Sequence, residues 1–205
     1  GYMLRYNPSF QFMFHAVGEG WFGEIMEIDA MMGKLAGADM RRQLNEFSGG
    51  GFFELACHIL DSVMFIMGKP QKVFGFNSRT RAAQGDVFAD NQLAVLQYPK
   101  AMACLRCNHN DPFGGPRRRF QVAGTQGGME IQPLESGKIL LNLDRARGKF
   151  QKGTQMVQLK GGRSYVAEFA DLAKVIRGEK KLAWSFEHDL TVHETLLRVC
   201  GMPLG

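Results

Sequence analysis

Hydrophobic positions along the chain fall into a helical opening, a long run of short alternating segments and a helical close. After Asn7-Pro8, the apolar residues Phe10, Phe14 and Val17 recur at helical spacing until Gly18 and Gly20, which predicts a short amphipathic helix with proline in its first turn. Gly23 to Met32 alternates well enough for a strand, and the polar, glycine-bearing run from Gly33 to Ser48 reads as an irregular loop. Helical spacing then returns. Phe52, Leu55, Ile59, Val63, Ile66 and Met67 share one side of a helix that ends at Gly68-Lys69-Pro70. Seven strand-like segments follow: Lys72 to Arg79, Asn91 to Tyr98, Met102 to His109, Arg118 to Ala123, Gly128 to Gln132, Ile139 to Leu143 and Gln155 to Leu159. Gly, Pro, Asn and Asp punctuate the gaps at hairpin-like lengths. Two helices close the chain, one capped by Ser164 and carrying Tyr165, Phe169, Leu172 and Ile176, the other capped by Ser185 and carrying Leu190, Leu196, Leu197 and Val199.

This order predicts an α+β fold, a mainly antiparallel open-faced β-sheet with helices packed on one side. No internal repeat or low-complexity linker interrupts it, so residues 1–205 read as a single domain. The uncovered face must meet water or another subunit. Alternation puts Leu93, Val95 and Leu105 in one set and Ala94, Leu96 and Tyr98 in the other, so neither face is plainly solvated and a homo-oligomer through the open face is expected.

Composition changes this picture little. With 45% hydrophobic and 22% charged residues, the chain is ordinary for a globular protein. No window approaches the roughly 20 apolar residues of a membrane span, and no secretory leader is visible, so a cytoplasmic protein is expected. An opening on Gly1 rather than Met is what a chain cut from a longer protein would show. Four cysteines, at 57, 104, 107 and 200, are too few and too irregular for a disulfide framework. Cys104 and Cys107 lie three apart in a predicted strand and so point to opposite faces, which argues against a metal site. The net charge of +5 is densest at Arg117-Arg118-Arg119, but a strand alternates these side chains rather than lining them up for nucleic acid.

Candidate chemistry concentrates in Ser48 to Asp61, a glycine-rich turn running into a helix. At 3.6 residues per turn, Glu54, His58 and Asp61 fall within roughly 60° of one another, opposite the apolar side. This face has no Lys, Arg or Gln, so it suits a pocket wall better than a wet surface. A histidine with a carboxylate one turn away is a plausible general base. The other histidines are weaker candidates: His188 and His193 read as surface or packing residues, and His15 and His109 as bystanders. Gly124-Thr-Gln-Gly127 lies between strands and reads as a hairpin turn rather than a phosphate loop.

Several stretches together resemble a known family. They are Gly1-Tyr-Met-Leu-Arg-Tyr-Asn-Pro8, Ser48 to Asp61, Gly68-Lys-Pro70 before a strand, Val122 to Gly127, and a last helix with His188-Asp-Leu-Thr-Val-His193. The chain is similar in these to the C-terminal domain of the glucose-fructose oxidoreductase, inositol dehydrogenase and MocA (Gfo/Idh/MocA) family. The resemblance implies the substrate-binding and oligomerisation half of a two-domain oxidoreductase that acts on a sugar, polyol or related cyclic alcohol by hydride transfer. NAD or NADP would sit in an N-terminal Rossmann domain, which would also supply a catalytic lysine. His58 would be the acid/base and Glu54 its acidic partner, with Arg5, Asn7 and Asp61 binding substrate or, for Asp61, holding the structure together. Two departures stand out: Glu54 occupies a position usually held by Asp, and the chain has no G-x-G-x-x-G on a strand-turn-helix unit and no Glu-Lys-Pro. No cofactor or metal is therefore expected on this chain alone. The competing expectation is a non-catalytic ligand- or partner-binding module of the same fold, which the Glu54 substitution favours.

Overall fold

The computed structural model describes residues 2–160 and 165–204, so the expected cap at Ser164 lies outside the described residues. Helix α1 (Pro8–Gly18) starts with Pro8 in its first turn and the Asn7 side chain accepting from the Ser9 N–H, and it buries Phe10, Met13 and Ala16. Strand β1 (Ile25–Gly33) follows. The stretch expected to be an irregular loop contains a further helix, α2 (Ala38–Leu44). Its anchor is tertiary and so invisible to periodicity: the buried Arg41 guanidinium is held by Asp86 and by Asp90, the latter at 2.7 Å. A π-helical turn (Phe52–Ala56) then leads directly into α3 (Cys57–Met67).

The remaining elements are β2 (Lys72–Ser78), β3 (Asn91–Gln97), β4 (Met102–Asn108), the single turn α4 (Gly114–Arg117), β5 (Arg119–Gly124), β6 (Gly127–Ile131), β7 (Lys138–Leu143), β8 (Gly153–Gln158), α5 (Val166–Ile176) and α6 (Phe186–Val199). Among the described residues the strands form one eight-stranded sheet in the order β2-β3-β4-β1-β5-β6-β7-β8. The β1 and β4 pair is parallel, and every other neighbouring pair is antiparallel. The predicted α+β class with a mainly antiparallel sheet therefore stands. Thr125-Gln126 connects β5 to β6 as the hairpin turn that the glycine pattern implied.

One face of the sheet is dry. Ile28 and Ala30 of β1, Leu96 of β3, Leu105 of β4, Phe120 of β5 and Ile139 of β7 are buried with α1, α3 and α6 side chains in one core. Leu105 pairs with Ala94, so it belongs to this covered face and not with Leu93 and Val95. Helix α3 is enclosed on several sides: Ile59, Leu60, Asp61, Ser62 and Val63 are consecutive and all buried. The opposite face of the sheet is open, with Phe74 and Phe76 of β2 and Met102 of β4 exposed at one end. Cys107 is buried and Cys104 stands half-buried on the open face, as their spacing predicts. Arg117, Arg118 and Arg119 disperse to Asp111, Glu135 and Asp29 respectively. No helix among the described residues is long and apolar enough to cross a membrane.

Candidate functional site

The glycine turn is shaped by what it must pass. Gly50 has φ +63° with the Ala89 carbonyl where a Cβ would stand, and a Cβ on Gly51 would lie 2.4 Å from His109 Nδ1. The first amides of the helical run are already used by the protein: Gly51 N–H donates to Ala89 O and Phe52 N–H to Gln92 Oε1. The π turn widens the first part of the helix, with Cys57 N–H reaching back to Phe52 O. Single π turns inside α-helices occur often at functional sites.

Glu54 leaves this widened turn toward the exits of β1 and β4. Its Oε1 accepts from Lys34 Nζ at 2.7 Å and its Oε2 from His109 Nε2 at 2.8 Å. Burial alone would raise its carboxyl, but the hydrogen bonds from His109 and Lys34 and the Lys34 charge outweigh that and bring it down to about 2. Glu54 is therefore an anion at any physiological pH. It also lines a cavity of about 200 Å³ together with Leu44, Phe47, Ser48, Gly50 and Phe53.

His58 is half-buried in the middle. Its ring meets Tyr2 edge-on at 6.0 Å, and its Nδ1 accepts a long 3.4 Å contact from the Met3 N–H. Burial lowers it to about 4, against the opposing pull of Asp61 and Glu54, so the ring is neutral near pH 7. Nε2 has no protein partner among the described residues. A neutral ring accepting at Nδ1 presents Nε2–H outward, ready to donate to a ligand oxygen. Taking a proton from a hydroxyl then requires the long Met3 contact to be given up.

Asp61 is fully buried and faces the other way. Its oxygens accept from Arg5 Nε at 3.0 Å and Arg5 Nη2 at 2.7 Å, and Oδ1 also lies 2.9 Å from His188 Nε2. The same guanidinium reaches Asp189 and is covered by the Tyr2 and Trp184 rings at 4.7 and 4.9 Å. Asp61, His188 and Asp189 are close enough to share a cation, and Arg5 already supplies it. Asn7, also expected to touch substrate, spends its side chain on the α1 cap and on Leu134 O at 3.2 Å.

The three residues expected on one face therefore separate into Glu54 with Lys34 and His109, His58 alone, and Asp61 with Arg5 and His188. Lys34, His109 and His188 escaped the reading of the sequence. The first two could have been found only from the parallel pairing of β1 with β4, which brings their C-terminal ends to one edge. A larger depression of about 570 Å³ lies on the other side of the glycine turn and is lined by Asn77, Arg79, Gln92 and Cys200 among others, but by none of Glu54, His58 or Asp61.

Residues 10–130 match the GFO/IDH/MocA C-terminal domain, more than half of the chain. The chain belongs to that family. No curated protein matches it. Solved structures similar to this GFO/IDH/MocA C-terminal domain include the Caulobacter crescentus aldose-aldose oxidoreductase complexed with glycerol, at 18% identity and a TM-score of 0.78, covering 98% of this chain and 61% of that one. A Thermotoga maritima protein provisionally described as an oxidoreductase shares 24% identity with a TM-score of 0.74, covering 95% and 58%. A Sinorhizobium meliloti protein provisionally described as a myo-inositol dehydrogenase shares 19% with a TM-score of 0.72, covering 98% and 62%. At these identities the likeness is one of fold, and the chain spans about three fifths of each neighbour's length.

Proposed function

We propose that this domain supplies the substrate half of an NAD(P)-dependent oxidoreductase that interconverts a hydroxyl and a carbonyl on a sugar, polyol or related cyclic alcohol. The observation that carries this reading is His58, a neutral, half-buried imidazole whose Nε2 has no partner among the described residues, flanked on its own helical run by two anchored carboxylates. Such a ring can donate to a carbonyl oxygen or, once free of Met3, take a hydroxyl proton. The printed descriptions of the Caulobacter and Sinorhizobium neighbours support a polyhydroxylated substrate.

A nicotinamide nucleotide does not fit the residues present. The glycine turn follows no strand, and its Gly51 and Phe52 amides, which would face a pyrophosphate, are already satisfied inside the protein. The nucleotide is therefore assigned to a separate Rossmann domain, and the steps given to this chain are binding the hydroxyl-bearing ligand and moving its proton. The test is NAD(P)+ reduction by the domain joined to its nucleotide-binding half, offered glucose, myo-inositol and glycerol. Turnover with one of them is expected, and His58→Ala should lower kcat by about 10²- to 10⁴-fold with cofactor affinity unchanged. An unaltered rate and pH profile in that variant would remove His58 from the chemistry.

A second reading, a non-catalytic ligand-binding module, is favoured by one feature: both Glu54 oxygens already accept hydrogen bonds within the protein. Ligand binding without nucleotide reduction across the same panel would select it. We further propose that the open sheet face, where Phe74, Phe76 and Met102 are exposed, joins a second copy of the chain. Light scattering should then show an oligomer that Phe76→Glu dissociates, and a monomeric parent chain would end that proposal.

A further inference from the structure

A glutamate side chain has several rotatable bonds, and a misplacement of about 1 Å can cost roughly 100-fold in rate. The surroundings of Glu54 compensate for that freedom. Strands β1 and β4 run parallel, with Gly33 opposite Asn108, so their exits lie side by side. The pairing continues past the strand ends: Lys34 N–H donates to Asn108 O at 3.0 Å and Ala36 N–H to His109 O at 2.8 Å. Two side chains thus leave tethered backbone at one edge and close on a single carboxylate from two sides, one on each oxygen.

The imidazole arm is itself fixed. His109 is fully buried, the Phe88 ring stands perpendicular to it at 5.1 Å, and Cys107 Sγ lies 3.6 Å from its Nδ1. The missing Cβ of Gly51 leaves the space it needs. Since Glu54 is ionised, the 2.8 Å contact requires Nε2 to carry the proton and donate it. Lys34, about one-fifth exposed, closes the outer side. The other titratable groups near Glu54 are Cys107, beside the imidazole, and Cys57 and His58 on its own helix.

We propose that His109 and Lys34 are positioning residues that clamp Glu54 as a fixed anion one turn from His58. The inference rests on the oxidoreductase reading of this site. Its chemistry is ligand-directed: a carboxylate whose inner lone pairs are taken keeps its outer ones for a ligand hydroxyl, and its constant charge favours protonation of His58 when a hydroxyl gives up its proton.

Two measurements test it. In the 205-residue chain carrying ¹³C-labelled glutamate, the Glu54 carboxyl should titrate near 2, and in Lys34→Met and His109→Leu its midpoint should rise toward 4.5, while His109→Gln, which can still donate, should hold it lower. In the enzyme containing the nucleotide-binding half, Lys34→Met and His109→Leu should lower kcat by about 10- to 100-fold and displace the acid limb of the pH profile, with Lys34→Arg and His109→Gln restoring part of the rate. Should His109→Leu fail to fold, Lys34→Met at the rim decides alone. Parent turnover that neither variant alters, or a Glu54 midpoint at the ordinary value in the parent chain, overturns the clamp. Absence of turnover in the parent enzyme overturns the oxidoreductase reading instead and takes the catalytic role of the clamp with it.

Discussion

Glu54 and Asp61 stand about two turns apart on one helical run, and both are carboxylates held by a cation and an imidazole. Glu54 has Lys34 and His109 at the partly open C-terminal ends of two central strands, while Asp61 has Arg5 and His188 in a fully buried position. The same ingredients do different work because of what each cluster joins. The Asp61 cluster ties three separate pieces together: the segment before α1, the middle of α3 and the start of α6. The Glu54 cluster joins the π turn to two strand exits and leaves the carboxylate lining a cavity. One carboxylate closes the fold, and the other is presented by it.

The sharpest way to break this comparison is to remove each charge in turn. Asp61→Ala leaves the Arg5 guanidinium, with about one-tenth of its side chain exposed, paired with Asp189 alone, and it should cost roughly 3–5 kcal/mol in urea unfolding. Glu54→Gln keeps the side-chain volume at a position about one-quarter exposed, and it should cost about 1–2 kcal/mol while abolishing most of any turnover under the proposed function. Equal stability losses for the two would mean that Glu54 is as structural as Asp61.

His58, between the clusters, gives a second test through pH. Its folded-state value of about 4 lies below the ordinary 6.5, so the folded chain binds fewer protons than the unfolded one across that interval. The stability it contributes is complete above pH 6.5 and is lost as pH falls toward 4, amounting to roughly 2 kcal/mol between pH 7 and 5. Glu54, lowered from 4.5 to about 2, contributes stability present above 4.5 that is lost only at stronger acid. Unfolding free energy measured from pH 7 to 5 should therefore fall in the parent chain and flatten in His58→Gln. An equal slope in both would show that the imidazole is not held neutral by burial.

These contrasts also show where the sequence could be read and where it could not. Strand existence followed from alternation, because a sheet with one dry side imposes period two on the residues that pack against it. Which face is covered did not: both sets carried apolar residues, and only the pairing of Leu105 with Ala94 puts it on the dry side. Helix α2 was missed because Arg41 holds it by ion pairs to residues more than forty positions away, and no local period reports that. At the site, an even 3.6-residue helix placed Glu54, His58 and Asp61 together on one face. The π turn and the burial of α3 on several sides sent the two carboxylates to different neighbours. His109 looked solitary because its partner lies across a parallel pairing that hydrophobicity does not encode. His188 looked like a surface residue for a similar reason, since what claims it is a buried carboxylate on another helix.

Asn7 extends the comparison to its smallest expected effect. The Arg-Tyr-Asn-Pro entry placed Arg5 and Asn7 together as substrate contacts, yet the Asn7 side chain caps α1 through Ser9 N–H and reaches Leu134 O, and only 7% of the residue is exposed. Loss of such a cap costs about 1 kcal/mol. Asn7→Ser keeps a capping acceptor and gives up the donation to Leu134, so it should recover part of that loss, whereas Asn7→Ala should show all of it. Ligand affinity, measured by calorimetry with myo-inositol or glycerol, should change in neither variant, because no ligand atom can reach an amide enclosed by its own helix start. A fall in affinity at unchanged stability would move Asn7 from the Asp61 side of the comparison to the Glu54 side, making it a residue that the fold presents rather than consumes.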